Sequence, residues 1–316
     1  MMKPMQTWRL LASALMMNAP VANAQMANNP PSIGEGVRAF GDRLGPDVVK
    51  VVTELYKPLH QAAPKDGVTV VKDIAYGEGE RQRLDLYMPD KLPEGRKPPI
   101  LVFAHGGGFV RGDKADVAHF GYYFARHGIV TVLIDYGFAP KSRFPSGGED
   151  MGKAVQWLRD HPDKHPGDIS SIFVSGNSAG ATHAATYGFM TSASKPDDGV
   201  RGLILISIPT ADTEDLAPSD KAYYGDDAGQ YPAMSLLRHV PDRKLPTFIA
   251  VAEYDMPQIQ RQTKHLIDAL FARDGKLPEI KTALGHNHIS IIEHFGTADE
   301  SLGPDILQFI QENRSH

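Results

Sequence analysis

Apolar residues in this chain gather into short, nearly continuous runs at 100–104, 129–134, 169–174, 203–208, 247–251 and 280–284. Runs of this length predict strands buried on both faces. Between them apolar positions recur at helical spacing, around 117–126, 151–159, 178–190, 259–273 and 304–311. Such strands alternating with helices predict an α/β fold, a mostly parallel central sheet with helices on both faces. Two earlier pieces, 68–76 and 83–88, read differently. In the second, Leu84, Leu86 and Met88 alternate with more polar positions, which suits an antiparallel pair at a sheet edge and brings the expected sheet to about eight strands.

The remaining segments set the domain plan. Residues 47–59 place Val48, Val51, Val52, Leu55 and Leu59 at helical spacing and predict a short helix ending near Pro58. Residues 25–45, rich in Asn, Pro and Gly, predict a flexible lead-in. Residues 211–244 break the strand–helix rhythm with a long polar connection and a short helix-like piece near 234–239, expected to form a small cap over the strand ends. The expected plan is therefore a lead-in and helix over 25–64, then one α/β domain over 65–316 with a cap insertion at about 211–244.

Composition narrows this picture at three points. Lys3 and Arg9 precede the apolar run 10–17, and Ala22-Asn23-Ala24 fits a small-x-small cleavage site. Residues 1–24 thus read as a signal peptide of a secreted or periplasmic protein, too short to span a membrane. The chain has 33 basic and 38 acidic residues, a net charge of −5, and no basic block, which argues against a nucleic-acid partner. It has no cysteine, which excludes a thiol nucleophile and Cys-bound metal centres. Oligomeric state is left open.

The chemistry starts at Gly176-Asn177-Ser178-Ala179-Gly180, between a predicted strand and a predicted helix. A strand reversing sharply into a helix leaves no room for flanking side chains, so glycines flank it and the central residue projects outward. Ser178 is the candidate nucleophile, and the Ala179 N–H sits at the positive end of the new helix. Ligands in open α/β sheets bind at the carboxyl ends of strands, so partners are sought there. After the run 100–104 comes His105-Gly106-Gly107-Gly108-Phe109. A glycine triplet can turn N–H groups toward a reacting oxygen, so Gly107, Gly108 and Ala179 are the candidate oxyanion donors. His105 is expected to hold the loop. After the run 247–251 come Glu253 and Asp255; Asp255 lies just beyond the strand and is favoured as the orienting acid, with Glu253 supporting the loop. After the run 280–284 come His286 and His288, either of which could serve as the base. With His294 they could also suggest a metal site, but no suitably spaced acidic partner accompanies them.

With these residues in view, the chain resembles the hormone-sensitive-lipase-like branch of the α/β-hydrolase carboxylesterases over most of 65–315. The resemblance rests on the His105–Gly108 loop, the Asp135-Tyr136-Gly137-Phe138-Ala139-Pro140 segment, Phe144-Pro145, Asp150 with Ala154 and Trp157, and the elbow. It implies Ser178 as nucleophile, Asp255 as acid, His288 as base, Gly107 and Gly108 as oxyanion donors, and no metal or organic cofactor. The ending His288-Ile289-Ser290-Ile291-Ile292-Glu293 is also similar to kynurenine-formamidase-like relatives, which favours His288 over His286. Relatives commonly carry Asn-Tyr-Arg-Leu-Ala-Pro where this chain has Gly137 and Phe138, so a guanidinium expected to anchor a loop near the site is missing. Asp150 and Trp157 are expected to anchor and pack, and the short cap argues against long-chain lipid substrates.

The expected function is a serine carboxylesterase acting on short-chain or aryl esters through an acyl-enzyme. An arylformamidase-like amidase is the alternative, and a non-catalytic binding module is disfavoured because every triad position is filled. Phe109, Tyr223 and Tyr224, with Tyr231, are candidate lining of an acyl or aryl pocket, or else cap packing.

Overall fold

The computed structural model describes residues 29–92, 95–190 and 197–315; the signal-peptide segment 1–24 lies outside the described residues. In chain order the elements are α1 (Pro31–Phe40), α2 (Pro46–Ala62), β1 (Val68–Ala75), β2 (Arg83–Pro89), β3 (Ile100–Ala104), α3 (Ala118–Arg126), β4 (Val130–Ile134), α4 (Ser146–Asp160) and β5 (Ile172–Asn177). They continue with α5 (Ala179–Phe189), β6 (Val200–Ile206), α6 (Lys221–Tyr224), α7 (Tyr231–Met234), β7 (Thr247–Tyr254), α8 (Pro257–Asp274), β8 (Glu279–Asn287), α9 (Ser290–Glu293) and α10 (Gly303–Asn313). The eight strands form one sheet in the order β1-β2-β4-β3-β5-β6-β7-β8. β2 runs antiparallel to both β1 and β4, and the remaining neighbours are parallel. This is the mostly parallel, helix-covered sheet that the apolar runs predict.

The pattern has a direct packing cause. Every residue of β3 and β4 is buried, because helices cover both sheet faces. Side chains alternate between faces along each strand. Val102, Val132 and Val174 enter the core layer that includes Met151, Ala181 and Leu266 from α4, α5 and α8. Leu101, Phe103 and Phe173 enter the opposite layer, with Phe120 and Phe124 of α3 and Phe309 of α10. β1, at the sheet edge, has no buried residue and alternates between partly buried and exposed positions except at the register shift between Val71 and Ile74.

Two N-terminal expectations are corrected. Residues 25–45 are not simply a lead-in, because α1 lies within them. Ile33 and Val37, one helical turn apart, bury against Val48, Val52 and Tyr56 of α2. A Cβ on Gly36 would stand 2.6 Å from Leu55 Cδ1, so a glycine that reads as loop composition instead permits close helix contact. The second helix does not end at Pro58 but runs through it to Ala62. A proline removes one donor, and burial of the apolar face outweighs that single loss here.

The 211–244 segment folds as α6, α7 and single helical turns at Thr213–Asp215, Pro218–Asp220, Leu236–Arg238 and Val240–Asp242. The buried Gln262 amide of α8 ties it down. It accepts from the Ala211 and Asp212 N–H groups (2.8 and 2.7 Å) and donates to the Asp212 and Asp215 carbonyls (3.0 and 2.8 Å). Among the described residues, no helix is long and apolar enough to cross a membrane.

Candidate active site

Between the end of β5 and the start of α5 stands one residue, Ser178, with φ 53° and ψ −125°. A non-glycine residue held there stores roughly 1–3 kcal/mol of strain. The flanking glycines show why the turn is so tight. A Cβ on Gly176 would lie 2.2 Å from the Gly180 carbonyl, and one on Gly180 would lie 2.0 Å from the Ala104 oxygen. The Ser178 N–H donates to the Ile206 carbonyl at 2.9 Å, pinning the turn to the neighbouring strand.

His288 follows β8 on a loop shaped by Asn287, whose side-chain oxygen accepts from the Ile289 and Ser290 N–H groups (3.1 and 2.9 Å). The His288 ring bridges two partners. Its Nε2 lies 3.0 Å from Ser178 Oγ, and its Nδ1 lies 2.7 Å from Asp255 Oδ1. Asp255 is fully buried, and its other oxygen accepts from the Ser207 hydroxyl (2.6 Å) and the Ala252 N–H (2.7 Å). Because both of those groups are donors, the carboxylate cannot rotate freely. This network assigns the Nδ1 proton to the Asp255 side and leaves the Nε2 lone pair facing Ser178 Oγ.

Ser207 is a residue that pattern reading misses. It sits immediately after β6 with φ 51°. A hydroxyl just past the carboxyl end of a central strand was the available signal. Glu253 plays the supporting part expected of it, accepting from the Gly285 N–H at 2.6 Å.

His286, the rival base, is fully buried with both ring nitrogens engaged elsewhere. Nδ1 lies 3.1 Å from Ser290 Oγ, and Nε2 lies 3.3 Å from Ser301 Oγ and 3.2 Å from Asp299 Oδ2. His294 Nδ1 donates to the Ile291 carbonyl (2.9 Å). The histidine beside Ser178 is His288.

The glycine loop lies against the elbow: a Cβ on Gly106 would be 3.2 Å from Ser178 Cβ. Gly107 has φ 134°, and a Cβ there would overlap the Arg111 carbonyl at 1.9 Å; Gly108 has φ 60°. His105 holds this loop. It is buried, its Nδ1 donates to the Gly106 carbonyl (2.6 Å), and its ring stacks on Tyr136 at 4.5 Å. Tyr136 in turn donates to the His105 carbonyl at 2.7 Å.

A guanidinium from elsewhere in the chain anchors the segment around Gly137. Arg81, in the connection between β1 and β2, donates to the carbonyls of Tyr136 (3.0 Å) and Gly112 (2.9 Å) and to Asp135 Oδ1 (3.1 Å). It lies 3.8 Å over the Phe138 ring. A Cβ on Gly137 would meet Ser142 Oγ at 2.3 Å, so a larger residue there would require Ser142 to move. Asp150 anchors the same segment, accepting from the Gly137 N–H (3.0 Å) and the Gln82 amide (2.7 Å).

Of the two readings left open for the aromatic residues, pocket lining and cap packing, the described packing fits the second. Phe109 and Tyr223 are almost fully buried, stacked at 4.6 Å and 2° from parallel. Tyr224 is 4% exposed and stacks on Phe144 at 5.2 Å. With Tyr231 and Ala179 they close a cluster behind the glycine loop. Rings that can bury one another gain more than rings facing water. Tyr223 is also fixed at its polar end, accepting from the Gly147 N–H at 3.0 Å.

Beneath this cluster lies His183 of α5, 1% exposed, with its Nε2 unpartnered among the described residues. Burial pushes its pKa down to about 3, and the nearby His105 adds to the shift. A histidine whose folded pKa is depressed stabilises the fold fully above its unfolded value near 6.5, and that stability is lost as pH falls toward 3. We expect His183→Gln to lose about 2 kcal/mol less unfolding free energy than wild type between pH 7 and pH 5. Denaturant melts at the two pH values check this; parallel losses in both proteins would show that His183 is not the acid-sensitive group.

A strand–serine–helix elbow, a buried carboxylate aligning an imidazole on that serine and a glycine loop beside it are the parts of a hydrolase. The chain belongs to the alpha/beta hydrolase fold family, in its hormone-sensitive-lipase-like carboxylesterase branch, and the family model matches residues 101–289. A probable isoprenylcysteine alpha-carbonyl methylesterase from Oryza sativa subsp. japonica is 28% identical over 258 residues, 78% of this chain. The match spans only 58% of that relative's length. A kynurenine formamidase from Salmo salar is 24% identical over 270 residues, covering 79% of this chain and 88% of the relative. Among solved structures, a bacterial heroin esterase superposes with a TM-score of 0.69 at 21% identity, covering 92% of this chain and 99% of its own. An esterase B from Lactobacillus rhamnosis superposes with a TM-score of 0.70 at 17% identity, covering 90% of this chain and 96% of its own. At these identities the structural likeness speaks for the fold alone.

Proposed function

We propose that this chain is a serine carboxylesterase that hydrolyses short-chain or aryl esters through an acyl-enzyme. The observation that carries the proposal is the single imidazole of His288 bridging Ser178 Oγ and Asp255. Ser178 attacks the ester carbonyl while His288 Nε2 takes its proton; the same proton then goes to the departing alcohol. Asp255 holds the His288 tautomer and stabilises the imidazolium. The N–H groups of Gly107, Gly108 and Ala179 receive the oxyanion, and losing one such donor costs on the order of 3 kcal/mol of transition-state stabilisation. Water repeats the sequence on the acyl-enzyme with His288 as base. The leader-like pattern of residues 1–24 supports an exported, secreted or periplasmic enzyme.

A second reading keeps the machinery and changes the bond, to an arylformamidase-like amidase. Its support is the kynurenine formamidase relative, matched over most of its length, and the segment following His288. Turnover of aryl acetate, butyrate and octanoate beside an N-formyl aryl amide separates the two. The esterase reading expects the highest kcat/KM on the two short esters, falling at octanoate. A higher value on the amide favours the second reading, and no turnover of any aryl ester overturns the first.

A further inference from the structure

A cavity of about 320 Å³ opens between the end of α2, helix α3 and the turn at 296–300. Ser178, Asp255 and His288 are not among its lining residues. Two histidines on different helices meet there, His60 of α2 and His119 of α3, and Glu293, the last residue of α9, stands against them. Each of the three offers one ligand atom, and these atoms all lie within 4.8 Å of one another. His60 Nδ1 is 3.7 Å from Glu293 Oε2.

The atoms around these three side chains are arranged as supports. His60 Nε2 lies 2.7 Å from the Glu293 carbonyl, and His119 Nε2 lies 2.9 Å from the Ile292 carbonyl. A carbonyl can only accept, so both Nε2 atoms carry the proton and each neutral ring keeps its lone pair on Nδ1. Backbone carbonyls fix metal-binding histidines in this way. The Thr53 hydroxyl donates to Glu293 Oε1 at 3.0 Å, which leaves Oε2 as the oxygen facing His60.

We propose that His60, His119 and Glu293 form a binding site for a borderline divalent transition ion such as Zn²⁺, with the remaining coordination position opening on the cavity. Two neutral imidazoles and one carboxylate are a donor set such ions favour, and an open position suits water or an anionic group. The two rings rest face to face, 4.0 Å apart and 7° from parallel. Binding therefore includes a swing of one ring that brings both lone pairs onto a single ion. Because α9 begins two residues after His288, the ion would tie α2 and α3 to the loop that carries the hydrolytic histidine.

The test uses the full chain, stripped with chelator and titrated with Zn²⁺ by calorimetry and with Co²⁺ by visible absorption. One ion per chain is expected, with the intense d–d bands of a four- or five-coordinate Co²⁺. His119→Ala and Glu293→Gln should each weaken binding by at least about tenfold, and Thr53→Val, which leaves all three ligands in place, by roughly tenfold. Ser178→Ala should bind as wild type does, so the readout is independent of the hydrolytic chemistry. Should His119→Ala fail to fold, Glu293→Gln and Thr53→Val carry the test. No stoichiometric binding, or equal affinity in wild type and the ligand variants, would overturn the proposal and leave the pair as a packing contact between helices.

Discussion

Ser178→Ala is expected to lower kcat/KM for an aryl acetate by at least about 10⁴-fold. The variant keeps the elbow, because the Ser178 N–H bond to Ile206 and the glycines at 176 and 180 are backbone features. What disappears is the hydroxyl oxygen placed 3.0 Å from His288 Nε2. Residual turnover would come from binding and the glycine loop alone, which is why the loss is large without being total. Steady-state kinetics, together with loss of stoichiometric labelling by an aryl phosphonate, measures it. Activity within tenfold of wild type would place the nucleophile at another residue.

Asp255→Asn is expected to cost about 10⁴-fold in kcat with little change in KM or stability. The reason lies in the two donors behind the carboxylate. The Ser207 hydroxyl and the Ala252 N–H both point at Asp255 Oδ2. An asparagine must therefore place its carbonyl oxygen there and turn its NH₂ toward His288 Nδ1. Nδ1 then has to accept, the ring proton moves to Nε2, and the base presents N–H to Ser178 where a lone pair is required. Ser207→Ala removes one of the two donors and should cost only about tenfold, since the Ala252 N–H still sets the orientation. A burst experiment with an aryl acetate separates acylation from turnover; an Asp255→Asn burst rate within tenfold of wild type would shift the orienting role to another carboxylate.

The difference between what was legible and what was not follows particular residues. The elbow could be read because its Gly-x-Ser-x-Gly spacing falls within five consecutive residues, even though Gly180 is kept small by Ala104 at the end of another strand. The sheet could be read because two-sided burial writes continuous apolar runs such as 100–104 into the chain. α1 was hidden by its Asn, Pro and Gly content, since its stabilisation comes from the apolar face of α2 and not from helix propensity. Phe109, Tyr223 and Tyr224 could be placed near the site by position, but their stacking on one another depends on how the 211–244 segment folds back. Arg81 shows the same limit: it anchors the segment around Gly137 from a different loop, with nothing local to announce it.

The sequence by itself determined the α/β class, the elbow with Ser178 at its apex, the glycine loop, and a short list of acids and histidines at strand ends. Those features are short-range: period, turn sterics and strand length are recorded in neighbouring residues. The resemblance already favoured His288 over His286; the tertiary structure puts it beside Ser178, 110 residues away along the chain, and it alone decided that Ser207 fixes Asp255. Hydrogen-bond partners that distant are selected by the packing of whole strands and helices, and a side chain two positions earlier, at the end of β8, is directed to Asp299 and Ser301 by that packing alone.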